Sequence, residues 1–347
     1  MVRLFSAFHL RGVTLRNRIV MPPMATYMAG EDGRATDWHL VHYGARAIGG
    51  VGLILVEATA VQPEARIAQG ALGLWEDAQI EPLARIVRFC QAQGTCVGIQ
   101  LVHAGRKAWS PNRGIGPGEP VGPSALPFDE GWVTPRALPA EEIGGIVAAF
   151  VAAAQRAHAA GFEVLELHAA HGYLLHQFLS PLANRRTDEY GGTLRNRSRL
   201  LLEVVQALRR VWPSDRPLFV RVSATDWHEG GLDVEDLVQV ARWLAEEGVD
   251  AIDCSSGGIG PWAPEEVWAG YQIPFATRIR EATGLPTVAV GLITTPELAD
   301  EVVRNGRADL VALGRELLRH PQWPLEAAAR LGQEIGWPKA YERAKHR

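Results

Sequence analysis

The sequence predicts an α/β protein that folds as a single (β/α)8 TIM barrel domain over residues 1–347. Eight short apolar runs alternate with eight longer helical patterns along the chain, and these units are spaced fairly evenly with no linker between them. The runs are continuously apolar, as expected for parallel strands that are buried on both faces. A doubly wound sheet would alternate in the same way, but eight even units favour a closed barrel.

The strand candidates are short and rich in β-branched residues, which favour a pleated sheet. In chain order they are Ile19–Met21, Gly52–Glu57, Val97–Val102, Val164–His168, Leu218–Ser223, Ala251–Cys254, Thr287–Val290 and Leu310–Leu313. A helix candidate follows each of them: Trp38–Ile48, Gln79–Gln93, Glu141–Ala160, Leu194–Val211, Val234–Glu247, Ile273–Ala282, Pro296–Asn305 and Pro324–Leu331. Thr295 before Pro296 is typical of a helix start, and glycines follow four helix ends, at Gly161, Gly248, Gly284 and Gly306.

Three segments lie outside this alternation. Residues 1–16 precede the first strand and are expected to close the bottom of the barrel as a short hairpin. Residues 103–139 form a long insertion rich in proline and glycine after the third strand, and such a loop in a compact enzyme is typically a lid or a binding loop. Residues 333–347 follow the last helix and are expected to form a C-terminal arm.

Composition and charge exclude several classes of protein. The chain is 47% apolar and 21% charged with a net charge of −4, which is ordinary for a globular protein and does not favour nucleic acid as a partner. No apolar run approaches the roughly 20 residues of a membrane span, and we expect neither a membrane partner nor a signal peptide. Three cysteines at unrelated spacings, Cys90, Cys96 and Cys254, exclude a disulfide framework and a cysteine-only metal or iron–sulfur site. These features predict a cytoplasmic protein.

Polar residues gather at the predicted C-terminal ends of the strands, where (β/α)8 enzymes place their active sites. Arg221 ends a buried strand, and a buried cation there is costly without a partner. A ligand would supply that partner, and so would a nearby acid such as Asp226 or Glu166. The arginine therefore indicates either a binding site or a structural ion pair.

The seventh and eighth strands end in turns that carry Gly291 and Gly314-Arg315. Backbone N–H groups in such turns, together with Arg315, predict a phosphate site, which barrels commonly build from these two loops. A glycine at a strand-to-helix turn is often required only by the backbone conformation. The prediction of a phosphate site therefore depends on Arg315 as well as on the two glycines.

His168 and His171 stand three residues apart where the fourth strand becomes a loop. One interpretation is a metal pair, but no third ligand of suitable spacing is evident, and another is a pair of buried structural histidines. The interpretation we favour is a two-donor clamp on a carbonyl oxygen, because imidazole N–H groups stabilise developing enolate charge. Tyr173 lies nearby and would then serve as a proton source for carbon.

The same residues resemble the signature of the Old Yellow Enzyme family. The fourth strand and its loop read HAAHGYLL over residues 168–175, followed by QFLSPLANRRTDEYGG over residues 177–192. Further matching segments are NRIVMPPM over residues 17–24, DWHLVHY over 37–43, QLVHAGRK over 100–107, RVSAT over 221–225 and LGR over 313–315. Together they cover nearly the whole chain and are similar to the subgroup of bacillar NADPH dehydrogenases and thermophilic ene-reductases.

This resemblance implies a non-covalent FMN in the barrel mouth, with NADPH or NADH as hydride donor and an enone-type small molecule as substrate. It places the cofactor against Pro22, Pro23, Met24, Ala25, Ala58, Gln100, Arg221, Gly291, Gly314 and Arg315. It places the substrate against Tyr27, His168, His171 and Tyr173, with Lys107 near the mouth. Arg343, in the segment Tyr341-Glu342-Arg343, would reach the site of a neighbouring subunit in a homodimer or homotetramer.

One residue departs from the subgroup pattern. Ala25 stands where the subgroup usually has a cysteine beside the reactive edge of the flavin. An alanine at this position leaves hydride transfer possible. The redox potential and the substrate range of the subgroup, however, cannot be assumed for this chain.

Two other classes of function remain open at this stage. One is a flavin-free barrel lyase or isomerase, which would need a carboxylate base or a Schiff-base lysine at the mouth, and Lys107 is the lysine that could be offered. The other is an idle flavin carrier, against which His168, His171 and Tyr173 argue.

Overall fold

The computed structural model describes residues 2–110, 114–115 and 119–345 and forms a closed barrel of eight parallel strands. In chain order the barrel strands, numbered one to eight here, are Ile19–Met21, Leu53–Ala60, Cys96–Val102, Val164–Ala169, Leu218–Ser223, Ala251–Ser255, Thr287–Ala289 and Leu310–Ala312. Strand eight pairs with strand one through Val311 and Ile19, which closes the sheet. The predicted fold class is confirmed, and the strand bounds differ from the prediction by at most three residues.

Helices cover the outside of the barrel and follow every strand. The α-helices of the described chain are Asp37–Ile48, Ile80–Ala92, Ala140–Ala159, Leu174–Leu179, Leu194–Arg197, Arg199–Arg209, Val234–Glu246, Ile273–Thr283, Pro296–Arg304, Gly314–Arg319 and Trp323–Arg330. Four 3-10 turns accompany them at Pro63–Ala65, Asp77–Gln79, Gly105–Lys107 and Lys339–Ala344. The Thr295 side chain accepts a hydrogen bond from the Leu298 N–H, as its predicted cap position requires.

The single helix predicted over Leu194–Val211 is wrong, because it is interrupted at Ser198. The Ser198 hydroxyl donates to the Leu194 carbonyl at 2.8 Å. The Ser198 backbone N–H donates to the same carbonyl at 2.9 Å, and a hydroxyl that shares an acceptor with the helix in this way bends it. The short helices after strands four and eight, Leu174–Leu179 and Gly314–Arg319, are further additions that the apolar pattern did not indicate.

The N-terminal segment forms an antiparallel hairpin of strands Phe8–Leu10 and Val13–Leu15. Val13 and Leu15 pack in one apolar cluster with barrel-interior residues such as Leu53 and Phe219. These strand positions lie toward the N-terminal ends of their strands, so the hairpin plugs the bottom of the barrel and leaves the C-terminal ends to form the mouth.

The insertion over 103–139 contains secondary structure in its described part. Strands Trp109–Ser110 and Gly114–Ile115 pair antiparallel, and strands Val121–Gly122 and Arg136–Ala137 pair in parallel. Residues 111–113 and 116–118 of this predicted lid loop, and 346–347 of the predicted arm, lie outside the described residues. Within the described chain, no helix has the length and apolar character needed to cross a membrane.

Candidate active site

Strands four, five and six bring the central polar residues of the mouth together. His168 lies beside Arg221 in the register of strands four and five, and Ser223 lies beside Ser255 in the register of strands five and six. His171 follows strand four in the loop, and its backbone N–H donates to the Ser223 hydroxyl at 2.9 Å. The site is therefore built on three adjacent strand ends.

The His168 and His171 side chains form a neutral pair. Their ring centroids are 5.1 Å apart, and His171 Nδ1 lies 3.4 Å from His168 Nε2. Burial lowers the pKa of both rings well below the usual value, and the charges of Arg221 and Lys107 lower each pKa further. Neutral imidazoles at neutral pH act as N–H donors instead of acids.

Two hydrogen bonds of Lys107 and two glycines hold His171 in a backbone conformation that is rare for a residue with a side chain. Its φ is 54°. Lys107 Nζ donates to the His171 carbonyl at 2.8 Å and to the Gly258 carbonyl at 3.2 Å. A Cβ added to Gly172 would lie 2.0 Å from the Gly258 carbonyl oxygen, so only glycine permits this close crossing of two loops. Such over-determined strain is typical of functional sites.

Tyr173 stands next to the histidine pair. Its ring lies 4.6 Å from that of His168 in an edge-to-face arrangement, and Lys107 Nζ lies 5.3 Å from its centroid. Tyr27 packs against the same small apolar cluster as Tyr173, which contains Ala58 from strand two. The structure thus brings Tyr27, Ala58, His168 and Tyr173 to one part of the mouth.

The turn after strand one is anchored by Glu57 of strand two. The buried Glu57 carboxylate accepts hydrogen bonds from the Thr26 backbone N–H at 2.6 Å and from the Thr26 hydroxyl at 2.8 Å. This anchor directly precedes Tyr27, whose φ of 58° is also unusual. The carboxylate therefore fixes the loop from which Tyr27 faces the mouth.

The ends of strands seven and eight line a cavity of about 200 Å³ that contains Gly291, Gly314 and Arg315. Arg315 is exposed and forms no hydrogen bond or ion pair with any residue that the structure describes. The Glu316 carboxylate also lines the cavity but pairs with Arg319 at 2.6 Å. An unengaged guanidinium beside two glycine turns is a suitable site for a phosphate group.

The cavity that Gly291, Gly314 and Arg315 line adjoins the turn after strand one. A Cβ added to Gly314 would lie 3.6 Å from Met24 Sδ and 3.8 Å from Pro22 Cγ. Met24 and Ala25 line a second, largely apolar cavity of about 430 Å³. The residues predicted to line a flat ring and those predicted to bind its phosphate are therefore close neighbours.

A layer of charged and polar side chains lies buried beneath the mouth. Arg221 Nε lies 3.2 Å from an Asp253 carboxylate oxygen, and Gln100 Nε2 donates to Glu166 at 2.8 Å. Burial raises the pKa of both carboxyl groups, while Arg221 opposes the rise. The Arg221–Asp253 contact is an ion pair without a hydrogen bond. Arg221 Nε, both Asp253 oxygens and Gln100 Oε1 have no hydrogen-bond partner among the described residues.

The prediction that Asp226 or Glu166 is the ion-pair partner of Arg221 was wrong. Its partner is Asp253, which faces it across strands five and six in direct register. Asp226 instead accepts hydrogen bonds from His176 at 2.9 Å and from Ser180 at 2.7 Å. Strand register decided the pairing, and the spacing of acids along the sequence carries no information about it.

Arg343 is the predicted site residue that the structure leaves apart from the others. It lies on the exposed 3-10 turn Lys339–Ala344 and forms no hydrogen bond or ion pair with a described residue of its own chain. No group of three histidine, cysteine or acidic residues suited to a metal occurs in the described ranges.

The three thiols of the chain are shielded from solvent. Cys90, Cys96 and Cys254 are free and buried. Burial raises the pKa of Cys90 to about 12 and the pKa values of the other two well above the usual range. The half-buried Ala25 contributes no thiol to the mouth.

Sequence reasoning missed two residues that contact the site, Asp253 and Ser255. Strand six was predicted to end at Cys254, one residue before its end at Ser255. The rule that strand ends carry the chemistry would have found Ser255 if the strand bound had been right.

Comparisons with known proteins agree with this geometry. The sequence model described as the NADH:flavin oxidoreductase / NADH oxidase family matches residues 3–334. The chain is 52% identical to the NADPH dehydrogenase of Geobacillus thermodenitrificans over 341 residues, 98% of each chain. It is 51% identical to the NADPH dehydrogenase of Listeria monocytogenes serotype 4a over 345 residues, 99% of each chain.

Two solved structures are similar over nearly their whole length. Morphinone reductase has a TM-score of 0.82 at 31% identity, covering 97% of this chain and 92% of that one. The old yellow enzyme homologue from Zymomonas mobilis has a TM-score of 0.80 at 28% identity, covering 96% of this chain and 94% of that one.

Proposed function

Since the chain belongs to the NADH:flavin oxidoreductase / NADH oxidase family, we propose that it is an FMN-dependent ene-reductase acting on α,β-unsaturated carbonyl compounds. The predicted resemblance to the Old Yellow Enzyme family is confirmed, and the chain is an oxidoreductase of the NADPH dehydrogenase type with FMN and a nicotinamide hydride donor. The observation that carries the proposal of ene-reductase activity is the neutral His168–His171 pair beside Tyr173.

The residues of the mouth fit a non-covalently bound FMN. Arg315 has no partner among the described residues, and it lies in the cavity that Gly291 and Gly314 line, so these three would hold the phosphate. Gln100 Oε1 and Arg221 Nε are buried and lack hydrogen-bond partners in the described chain, as expected of groups that face a polar ring edge. Pro22, Pro23, Met24, Ala25 and Ala58 would line the ring. When bound, FMN accepts a hydride from the nicotinamide and donates one to the activated alkene.

The histidine pair supplies the activation of the substrate. Two N–H donors that converge on one carbonyl oxygen withdraw charge from the conjugated alkene and stabilise the enolate that forms. Tyr27 faces the same space and would contact the substrate. Tyr173 carries the phenol proton that the second carbon of the alkene requires.

The flavin-free alternative needs a free amine or carboxylate at the mouth. The Lys107 ammonium donates to two backbone carbonyls and lies 4.4 Å from the Phe128 ring centroid. A lysine engaged in this way serves to shape the loop, which favours the flavin enzyme.

An absorbance spectrum tests the proposed function directly. We expect the purified protein to show flavin absorbance, to lose it with NADPH under anaerobic conditions, and to regain it on addition of cyclohexenone or maleimide. A protein that shows no flavin absorbance and gains none with added FMN would refute the cofactor. Reduction by NADPH without reoxidation by any enone would leave a flavin dehydrogenase and refute the ene-reductase.

The Tyr173→Phe variant is expected to slow reoxidation by an enone more than it slows flavin reduction by NADPH. Hydride transfer to the flavin needs no proton from the protein, whereas saturation of the alkene does, and a positioned acid contributes roughly 10²- to 10⁴-fold. Solvent replaces part of this, so residual activity is expected. Stopped-flow measurement of the two half-reactions tests it, and equal slowing of both would contradict the assignment.

Deletion of residues 338–347 is expected to raise KM for the enone and to leave FMN bound. Arg343 forms no hydrogen bond or ion pair with a described residue of its own barrel, and we assign this arginine to the site of a neighbouring subunit in a homodimer or homotetramer. Deletion of residues 344–347 alone keeps Arg343 and is the matched control. Steady-state kinetics and oligomeric mass measure the effect. Unchanged mass together with unchanged kinetics would show that the arm contributes nothing.

A further inference from the structure

His171 has a contact that lies outside the proposed reaction. Its Nε2 atom is 2.6 Å from the hydroxyl of Ser255, at the end of strand six. Ser255 is 5% exposed, so this contact is shielded from bulk water. A neutral imidazole carries one ring proton, and the partner of one nitrogen decides which nitrogen holds it.

Two arrangements of the protons are chemically possible. In the first, the Ser255 hydroxyl donates to Nε2, and the ring proton of His171 is on Nδ1. In the second, Nε2–H donates to the hydroxyl oxygen, and Nδ1 presents a bare lone pair to the mouth. Only the first makes His171 a donor to a substrate oxygen.

The hydrogen bonds of Ser255 favour the first arrangement. Among the residues described, the Ser255 hydroxyl makes no hydrogen bond other than that to His171. In the second arrangement the hydroxyl proton would be buried without an acceptor, and unmade buried hydrogen bonds are costly. The 2.6 Å separation is short, so one of the two groups donates a hydrogen bond to the other.

The contact between the two histidines gives the second arrangement only weak compensation, because it is long. A bare Nδ1 of His171 would require a donor, and the nearest is His168 Nε2 at 3.4 Å. This separation is longer than the usual range of N–H hydrogen bonds, which ends near 3.2 Å.

The tautomer of His168 is fixed from its other side. Its Nδ1 accepts a hydrogen bond from the Ala170 backbone N–H at 3.2 Å. The ring proton of His168 is therefore on Nε2, the atom that faces His171 Nδ1. With the first arrangement at Ser255, both histidines present an N–H to the same point.

We propose that Ser255 donates its hydroxyl proton to His171 Nε2 and thereby holds His171 in the tautomer whose Nδ1–H faces the substrate oxygen. Ser255 is thus a positioning residue. The role of that oxygen rests on the proposed function, but the tautomer is a property of the chain's own residues and is measured without substrate.

Nitrogen NMR of protein labelled with ¹⁵N-histidine reads the tautomer directly. The His171→Asn variant identifies the signals of His171 among the eleven histidines. In both the cofactor-free and the FMN-loaded protein we expect a protonated Nδ1 and a bare Nε2. The Ser255→Ala variant should shift both signals toward the opposite tautomer, while Ser255→Thr keeps the hydroxyl and the native signals.

Ser256→Ala is the matched control. Ser256 is the next residue, and its hydroxyl donates to Gln272 and not to a histidine. We expect its His171 signals to coincide with those of the unaltered protein. A shift as large as that of Ser255→Ala would show that any serine lost at this strand end disturbs the ring.

Ligand affinity gives an independent readout. Titration of the FMN-loaded protein with 4-hydroxybenzaldehyde, followed by flavin absorbance, should give about threefold to tenfold weaker binding in Ser255→Ala, with recovery in Ser255→Thr. The FMN content should not change.

The proposal and the proposed function fail in different ways. A protonated Nε2 in the unaltered protein overturns the proposal, and so does a His171 tautomer that is unchanged in Ser255→Ala, whether or not FMN binds. An unaltered protein that does not bind FMN or does not reduce enones refutes the proposed function. In that case the NMR result still decides the role of Ser255. If Ser255→Ala does not fold, the tautomer of the unaltered protein decides alone.

Discussion

Replacement of His168 or His171 by alanine is expected to lower turnover of an enone by about 10²- to 10³-fold, equivalent to about 3–4 kcal/mol of transition-state stabilisation. His168 is buried and His171 is half-buried at the mouth, and their facing nitrogens are 3.4 Å apart, close enough to share one substrate oxygen. Each variant removes one of two donors from a water-poor site, where a hydrogen bond to developing charge is worth most.

The two half-reactions separate this effect from a general loss of structure. We expect flavin reduction by NADPH to change less than reoxidation by the enone, and phenol binding to weaken in parallel with turnover. His158→Ala is the control. His158 lies on the surface near the C-terminal end of helix Ala140–Ala159, and this end of the helix is at the bottom of the barrel, away from the mouth. If metal is lost from either variant together with activity, the donor assignment is wrong and the histidines are ligands.

Replacement of Arg221 by methionine is expected to lower the free energy of unfolding by about 3–5 kcal/mol. The Arg221–Asp253 pair is almost completely buried, with side-chain exposures of 8% and 0%. Removal of the cation leaves Asp253 and Glu166 without the charge that opposes the rise in their pKa values. The double variant Arg221→Met with Asp253→Asn should recover much of the loss because it removes the stranded carboxylate.

The destabilisation should depend on pH with a definite sign. In the variant, burial raises the pKa of Asp253 in the folded state above its value of about 4 in the unfolded chain. The folded state then binds the proton more tightly, so the loss is small below pH 4 and grows as pH rises through the shifted pKa. Urea unfolding at several pH values measures this.

Arg88→Met is the control for the second prediction, because the Arg88–Glu81 pair is exposed and an exposed ion pair contributes little to stability. A loss in Arg221→Met no larger than that of Arg88→Met would show that water reaches the pair and that burial does not govern it.

The parts of the fold that sequence could predict are those encoded locally. Continuous apolar runs located all eight barrel strands, and the ends of those strands held His168, Arg221 and Gly314 where the site is found. The pairing of Arg221 with Asp253 depends on the register of two strands, and the local apolar pattern of a single sequence does not reveal that register. The break at Ser198 was hidden because a hydroxyl bonded to its own helix leaves the apolar period unchanged. Similarly, the contact between Ser255 and His171 joins residues 84 positions apart.

The burial of all three thiols has a consequence for the survival of the protein in the presence of its proposed substrates. Activated alkenes alkylate thiolates, and the thiolate is the reactive form of cysteine. In the folded protein Cys90, Cys96 and Cys254 are shielded and protonated, so an enone bound at the mouth meets no nucleophilic sulfur. In the unfolded chain the same three thiols are exposed. The substrate would then alkylate the thiols of unfolded molecules and prevent them from refolding. The lifetime of the protein during turnover would therefore be set by its rate of unfolding.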